Sequence, residues 1–301
     1  MRELLSRAEV VASGKNYVLA LYRDDLSSVF PGMVRFRLLL EGAGRPVVLF
    51  STNTYEYSPL LSIDAERAAR QAAADWEAAI LAAPGGLVRP DEPPSFHAEP
   101  PHGDVLVLQG SPRPDGSCAV LAKWAAEAAQ SVGRQVEVVF VHDLDVRPCI
   151  GCYQCYNTGD CTFDDDMTRL APAIRAASLL VVCSPVYTNT VPAGLKAVID
   201  RAQAIHARDA LQTGGPGAAP RGGLLLATAG RMGTENFSCV QSVVRAFMAN
   251  LGIRYRGEVL VDDLDARRDP RSVPGLEERV RSTVLSAIRA PETTRSTGTR
   301  P

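Results

Sequence analysis

The chain has 301 residues, 46% of them apolar and 22% charged, with a net charge of −2. That length supports one large or two modest hydrophobic cores, and the near-neutral balance leaves no electrostatic footprint for nucleic acid. The opening MRELLSRAEVVASGKNY lacks the apolar core of a secretory signal, and runs such as SLLVVCSPVY fall far short of the roughly 20 residues of a membrane span. A cytoplasmic protein with no membrane partner is expected, and its thiols should then be reduced rather than paired in disulfides.

In chain order, KNYVLALYR, MVRFRLLLEG and RPVVLFSTNTY read as strands, and 64–83 reads as an amphipathic helix. Residues 1–88 are therefore expected to form a small α+β domain of unknown role. The stretch LVRPDEPPSFHAEPPHGD at 87–104 holds five of the 21 prolines, so 89–102 is read as a linker. Beyond it, short apolar runs alternate with helical patterns. Strands are expected at 104–110, 135–141, 179–185, 222–230 and 255–261. Helices are expected in CAVLAKWAAEAAQS, at 166–178, in AGLKAVIDRAQAI, in NFSCVQSVVRAFMANL and in GLEERVRSTVLSAI. This alternation predicts an α/β domain over 103–290, a doubly wound sheet of five parallel strands, followed by a disordered tail at 291–301.

Such sheets bind ligands beyond the carboxyl ends of their strands. After the first of the five strands stands GSPRPDGSC, residues 110–118, which runs into a helix N-terminus whose free N–H groups and dipole favour a phosphate. It is neither a dinucleotide fingerprint nor a Walker A loop, and a monophosphate such as that of FMN suits it. The alternative is an ordinary turn capped by serine. After the third strand, SPVYTNTVPAGLKAVIDR offers amides, small polar groups and one aromatic to a flat heteroaromatic ring.

After the second strand, CIGCYQCYNTGDC places Cys149, Cys152, Cys155 and Cys161 within thirteen residues. A zinc site usually draws two separated C-x-x-C knuckles together, whereas four local thiols suit an iron-sulfur cluster. Zinc and a flavin-only loop remain the alternatives. Asp164–Asp166 precede a helix and read as capping acids, with Asp166 as the cap. Lys196 and Asp200 read as a structural i, i+4 pair. Cys183 and Cys239 read as buried packing residues, and Arg35 with Arg37 as a solvated strand face. The four histidines make no ligand pair at helical or hairpin spacing.

GSPRPDGS, CIGCYQCYNTGDCTFDDDM and SPVYTNTVPAGLKAVIDR, in that order, resemble the NAD(P)H-dependent FMN reductase family of flavodoxin-like proteins, in its iron-sulfur flavoprotein branch. The resemblance covers about 103–265 and implies FMN as cofactor. It places Ser111, Arg113, Ser117 and Cys118 around the FMN phosphate, with Cys118 standing where the family usually has threonine or asparagine. It places Pro185, Val186, Tyr187, Thr188 and Asn189 along the flavin ring, with Thr228, Ala229 and Gly230 as a third loop. It also makes the four clustered cysteines ligands of a [4Fe-4S] cluster.

The function implied is an FMN-dependent oxidoreductase, its chemistry carried by the flavin, with a cluster relaying electrons. NAD(P)H or a one-electron donor such as ferredoxin, a small-molecule acceptor and a homo-oligomer are the implied partners. A cluster-free NAD(P)H-dependent FMN or quinone reductase and a non-catalytic redox sensor are the competing readings.

Overall fold

The N-terminal residues form four strands where the apolar pattern shows three. In this computed structural model, which describes residues 2–12, 15–42, 45–58, 62–82, 104–213 and 221–289, β1 (Arg2–Ala12), β2 (Lys15–Asp25), β3 (Val34–Glu41) and β4 (Val47–Asn53) pair antiparallel in the order β1-β2-β3-β4. β1 escaped the pattern because it is mostly exposed, with Val10 its buried residue. The alternate residues Leu19 and Leu21 of β2, and Phe36, Leu38 and Leu40 of β3, face one core. That core is closed by α1 (Ala65–Ala82) through Ala65, Ala69 and Ile80. The Asp64 carboxyl starts α1 by accepting the Arg67 N–H at 2.8 Å.

The second half follows the expected alternation: β5 (Val105–Gln109), α2 (Ser117–Gln130), β6 (Val136–Phe140), then the short α3 (Cys155–Thr158) and α4 (Met167–Ala176). β7 (Leu179–Pro185), α5 (Ala193–Arg201), α6 (Gln203–Thr213), β8 (Arg221–Thr228) and α7 (Ser238–Asn250) come next. β9 (Ile253–Val261), α8 (Leu264–Arg267) and α9 (Leu276–Arg289) end the described chain. The helix expected through AGLKAVIDRAQAI is two helices, α5 ending at its C-cap Ala202.

All five strands are parallel, in the order β6-β5-β7-β8-β9. β5 and β7 are buried along their whole length, which is why they read as unbroken apolar runs. Leu106, Leu108, Leu180, Val182 and Leu225 face one side with α4, α5 and α7. Val107, Val181, Leu224 and Leu226 face the other with α2 and α9. Strand order reverses between β5 and β7, so a crevice opens beyond their carboxyl ends.

By its contacts the chain divides into two units. One comprises Met1–Ala98, Gly151–Thr162 and Ala210–Gly215, the other Glu99–Ile150, Phe163–Asp209 and Pro216–Pro301. Gly151–Thr162, which carries three of the clustered cysteines, thus belongs with the N-terminal unit. The expected linker at 89–102 and tail at 291–301 lie outside the described residues.

Candidate functional site

The loop after β5 is shaped by backbone and one buried amide. Gly110 donates its N–H to the Cys183 carbonyl at 2.8 Å, and a Cβ there would stand 2.6 Å from Leu195 Cδ2. Only glycine permits that approach. The fully buried Gln109 accepts the Ser111 N–H through its side-chain oxygen and donates through Nε2 to the Arg113 carbonyl at 3.3 Å. Ser111 Oγ accepts the Arg113 N–H at 3.2 Å. The N-cap of α2 is Gly116, with no side-chain cap bond, and the first helical bond runs from Val120 N–H to Gly116 O. This corrects the serine-capped alternative: the first-turn N–H groups are left facing outward, at the positive end of the helix dipole, where an anion is stabilised.

Cys118 follows in that first turn. Its Sγ lies 3.1 Å from Thr228 Oγ1, and complete burial pushes the thiol up to about 12. It is therefore a neutral thiol joining two loops, and no nucleophile at physiological pH.

After β7, Val186 donates its N–H to the Thr228 carbonyl at 2.8 Å. Tyr187 and Thr190 then exchange both backbone bonds, at 2.8 and 3.0 Å, around Thr188 and Asn189, whose φ angles are +45° and +65°. A two-residue hairpin of type I′ needs positive φ at both central positions. Asparagine takes that conformation readily, whereas β-branched Thr188 is strained there. Asn189 Nδ2 donates to Cys239 Sγ at 3.5 Å, and Cys239 is exposed, not the packing residue expected; Cys183 is buried as expected.

These loops enclose a cavity of about 870 Å³. Ser111, Arg113, Ser117 and Cys118 line it from the β5 side, Pro185, Val186, Tyr187, Thr188 and Asn189 from the β7 side, and Thr228, Ala229 and Gly230 from the β8 side. The structure thus gathers onto one cavity all the residues that the resemblance implicates in FMN binding. Arg231, Asn236, Leu264, Asp265 and Arg268 also line it and were missed. No motif marks them: Arg231 and Asn236 continue the β8 loop past Gly230, and Leu264, Asp265 and Arg268 arrive because β9 lies beside β8 and its loop folds back along the same edge. Arg113, Arg231 and Arg268 line the cavity against one aspartate, Asp265, so the cavity favours anions.

The clustered cysteines sit differently. Cys149 is exposed, Cys152, Cys155 and Cys161 are partly covered, and all four are free thiols. Among the described residues no three Cys, His, Asp or Glu side chains come together as a metal site. The donor chemistry suits an iron-sulfur cluster; the geometry does not present a formed ligand cage. What the structure does show is a firm hold on the backbone between the thiols. Asn53 Nδ2 donates to Asn157 Oδ1 at 2.9 Å and to the Tyr153 carbonyl at 3.3 Å. Glu56 accepts from Asn157 Nδ2 and from Gln154 Nε2, each at 2.7 Å. Arg35 Nη1 donates to the Asn157 carbonyl at 2.7 Å while its Nη2 pairs with Asp24 at 3.1 Å. Asp24 also binds Arg2 and Arg37. Arg35 and Arg37 therefore do not form a solvated face: Arg35 is buried, anchoring the segment that carries Cys152, Cys155 and Cys161. Phe30 meets Tyr156 edge-on at 4.4 Å, and Tyr55 meets Tyr153 at 5.6 Å.

The aspartate run before α4 is structural, with its roles redistributed. Asp166 occupies the N-cap position without capping and accepts instead from the Asp145 N–H at 2.8 Å. Asp165 accepts from the Met167 N–H at 3.1 Å and forms a bidentate pair with Arg201 at 2.6 and 3.0 Å. Burial alone would raise the Asp165 carboxyl, but Arg201 and the Arg147 and Met167 N–H groups outweigh it and hold it below the ordinary carboxylate range. Arg201 also donates to the Arg147 carbonyl at 2.8 Å, so this pair ties α4 and α5 to the chain after β6. Lys196 and Asp200 form the expected i, i+4 pair at 2.8 Å. His206 Nδ1 bonds the Asn250 carbonyl, and His97 and His102 lie outside the described residues.

A doubly wound sheet with its second strand at the edge and its first beside the third, and a polar cavity at the switch point, defines a flavodoxin-like ligand-binding domain. A family model described as NADPH-dependent FMN reductase matches residues 104–260, just over half of the chain. The chain belongs to that family. It is similar to an iron-sulfur flavoprotein of Methanocaldococcus jannaschii, 33% identical over 34% of this chain and 53% of the relative. It is also similar to one of Methanosarcina thermophila, 36% identical over 32% of this chain and 51% of the relative. The chain spans about half the length of the curated relatives it matches. Among solved structures, an FMN-dependent NADH-azoreductase of Bacillus anthracis aligns with 60% of this chain and 97% of its own, at 16% identity and a TM-score of 0.47. No helix among the described residues is long and apolar enough to cross a membrane.

Proposed function

We propose that the protein is an FMN-dependent oxidoreductase whose flavin occupies the cavity at the β5–β7 switch point. The observation that carries this reading is the convergence of the β5, β7 and β8 loops on one cavity, with an uncapped helix N-terminus at its β5 side. The residues fit the cofactor. The open N–H groups of α2, Ser111, Ser117 and Arg113 supply donors and charge for a phosphate. The β7 turn and Thr228–Gly230 supply backbone and small polar groups for a flat ring with hydrogen-bonding edges. Cys118, held protonated, adds no competing thiolate beside the phosphate site.

When bound, FMN supplies hydride and single-electron chemistry. The chain's own work is to bind, orient and shield. Gln109 locks the phosphate loop from below, and the strained Thr188–Asn189 turn fixes the polypeptide along the ring face. NAD(P)H and a one-electron donor such as ferredoxin are the electron sources to test. A small-molecule acceptor, a homo-oligomer and a cytoplasmic setting complete the proposal.

The four cysteines are proposed as ligands of an iron-sulfur cluster on two grounds, their spacing and the name borne by the relatives. Their ungathered state in this structure favours the second reading, a cluster-free flavin reductase. Anaerobically purified protein separates the two through its absorption spectrum with flavin, iron and sulfide counts. Stoichiometric FMN is expected; absence of flavin, with no FMN uptake in a fluorescence titration, would refute the functional reading. Iron and sulfide in equal amounts support the cluster, and flavin without iron supports the reductase.

A further inference from the structure

The part of the cavity wall that no flavin motif claims carries two arginines against one aspartate. We infer that Arg231 and Arg268 form a subsite for the anionic group of the second substrate, the molecule that exchanges electrons with the flavin. This rests on the FMN reading above. The class of ligand is a small organic molecule bearing a phosphate, carboxylate or sulfonate.

Two observations converge on it. First, the charges are uncommitted: among the described residues neither Arg231 nor Arg268 has a carboxylate partner, although Asp265 lines the same wall. The neighbouring Arg267, by contrast, is paired with Asp263 at 3.3 Å and does not line the cavity. Two like charges beside one cavity repel each other and attract an anion.

Second, the wall is rigidly built. The loops after β8 and β9 are joined by backbone bonds from Leu264 N–H to Ala229 O, from Asp265 N–H to Gly230 O and from Asp263 N–H to Arg231 O, at 3.1, 3.0 and 3.2 Å. Asp262 accepts the Gly233 N–H at 2.7 Å, and Asn236 Nδ2 donates to the carbonyls of Arg231, Met232 and Gly233. Arg268 itself sits at φ +66° and ψ −41°, a sparsely populated conformation for any residue but glycine. A backbone held this way fixes where the two side chains emerge, so a ligand has to order only the side chains themselves.

The test uses the full-length, FMN-loaded, oxidised protein and follows the flavin absorbance during titration. Adenosine 2′,5′-bisphosphate probes a nucleotide phosphate, benzoate a carboxylate, and benzamide is the neutral control. Wild type should bind one or both anions and show no benzamide response, and which anion binds distinguishes the sources. Arg231→Gln and Arg268→Gln should each weaken anion binding about five- to tenfold, while Arg→Lys at either position, which keeps the charge, should retain most of it. FMN affinity, measured separately by fluorescence, should not change. Anion and benzamide binding alike, no anion binding at all, an unaffected double variant, or a double variant that loses FMN would each overturn the subsite. Failure of wild type to take up FMN would overturn the functional reading instead.

Discussion

At the scale of single residues, the electrostatic roles divide between an exposed cation on the loop after β5 and a buried ion pair joining the segment before α4 to α5. Arg113 is solvent-exposed and lines the cavity beside the open N-terminus of α2. A charge-assisted bond to a phosphate contributes roughly 1.5–3 kcal/mol, and exposure argues for the lower end, so Arg113→Ala should weaken FMN binding by about 1.5 kcal/mol in a fluorescence titration. Asp165 and Arg201 are the opposite case, with side chains 2% and 1% exposed. Asp165→Asn would take a bidentate carboxylate partner from a buried guanidinium and should cost about 3 kcal/mol in chemical denaturation. The pH dependence has a definite sign. Because the folded carboxyl titrates below its unfolded value, its contribution is fully present above about pH 4 and is lost as pH falls through the depressed value. The stability gap between wild type and Asp165→Asn should therefore be constant near neutrality and close only in strong acid.

At the scale of elements, the end of β4 is the hub of the N-terminal unit. Asn53 and Glu56 hold Tyr153, Gln154 and Asn157, and Arg35 reaches the same backbone from β3. The positive φ angles at Gly151, Tyr153 and Gly159 let the segment turn around α3, and the Gly159 N–H closes that turn onto the Cys155 carbonyl at 2.8 Å. Removing one charged acceptor costs roughly 1.5 kcal/mol at least, which raises a locally open population about tenfold. Glu56→Ala should accordingly speed alkylation of Cys152 and Cys155 about tenfold, read by mass spectrometry, and leave FMN affinity unchanged. Glu56→Gln, which keeps an acceptor, should show a smaller effect. Equal alkylation rates in all three proteins would mean that the network does not order the cysteine segment.

At the scale of the whole molecule, every cavity-lining residue lies in the second unit, as does Cys149, while Cys152, Cys155 and Cys161 lie in the first. A fragment of residues 103–301 should therefore still take up FMN. Its cysteine segment, deprived of Arg35, Asn53 and Glu56, should become the preferred site of limited proteolysis. A flavin-free fragment, or one as protease-resistant at 151–162 as the full chain, would contradict this division.

The sequence by itself determined the doubly wound sheet, because fully buried parallel strands must be written as unbroken apolar runs separated by helical periods. It also identified the loops after β5 and β7, since each carries its own local signature of glycine, hydroxyl or turn residues next to a strand end, while the loop after β8 was implied by the family resemblance alone. What only the tertiary structure decided were features made by residues far apart in the chain. Leu264 and Arg268 join the cavity because β8 and β9 are neighbours, and the Asp165–Arg201 pair, 36 positions apart, joins the segment before α4 to α5. Arg35 alternates with Arg37 in the manner of a solvated strand face, yet Asp24 on the adjacent strand and the Asn157 carbonyl, 122 positions away, turn it into a buried anchor. Local pattern encodes the period and the loop chemistry of each element; which distant charge neutralises a buried one depends on strand order and packing, and no window of sequence contains both partners.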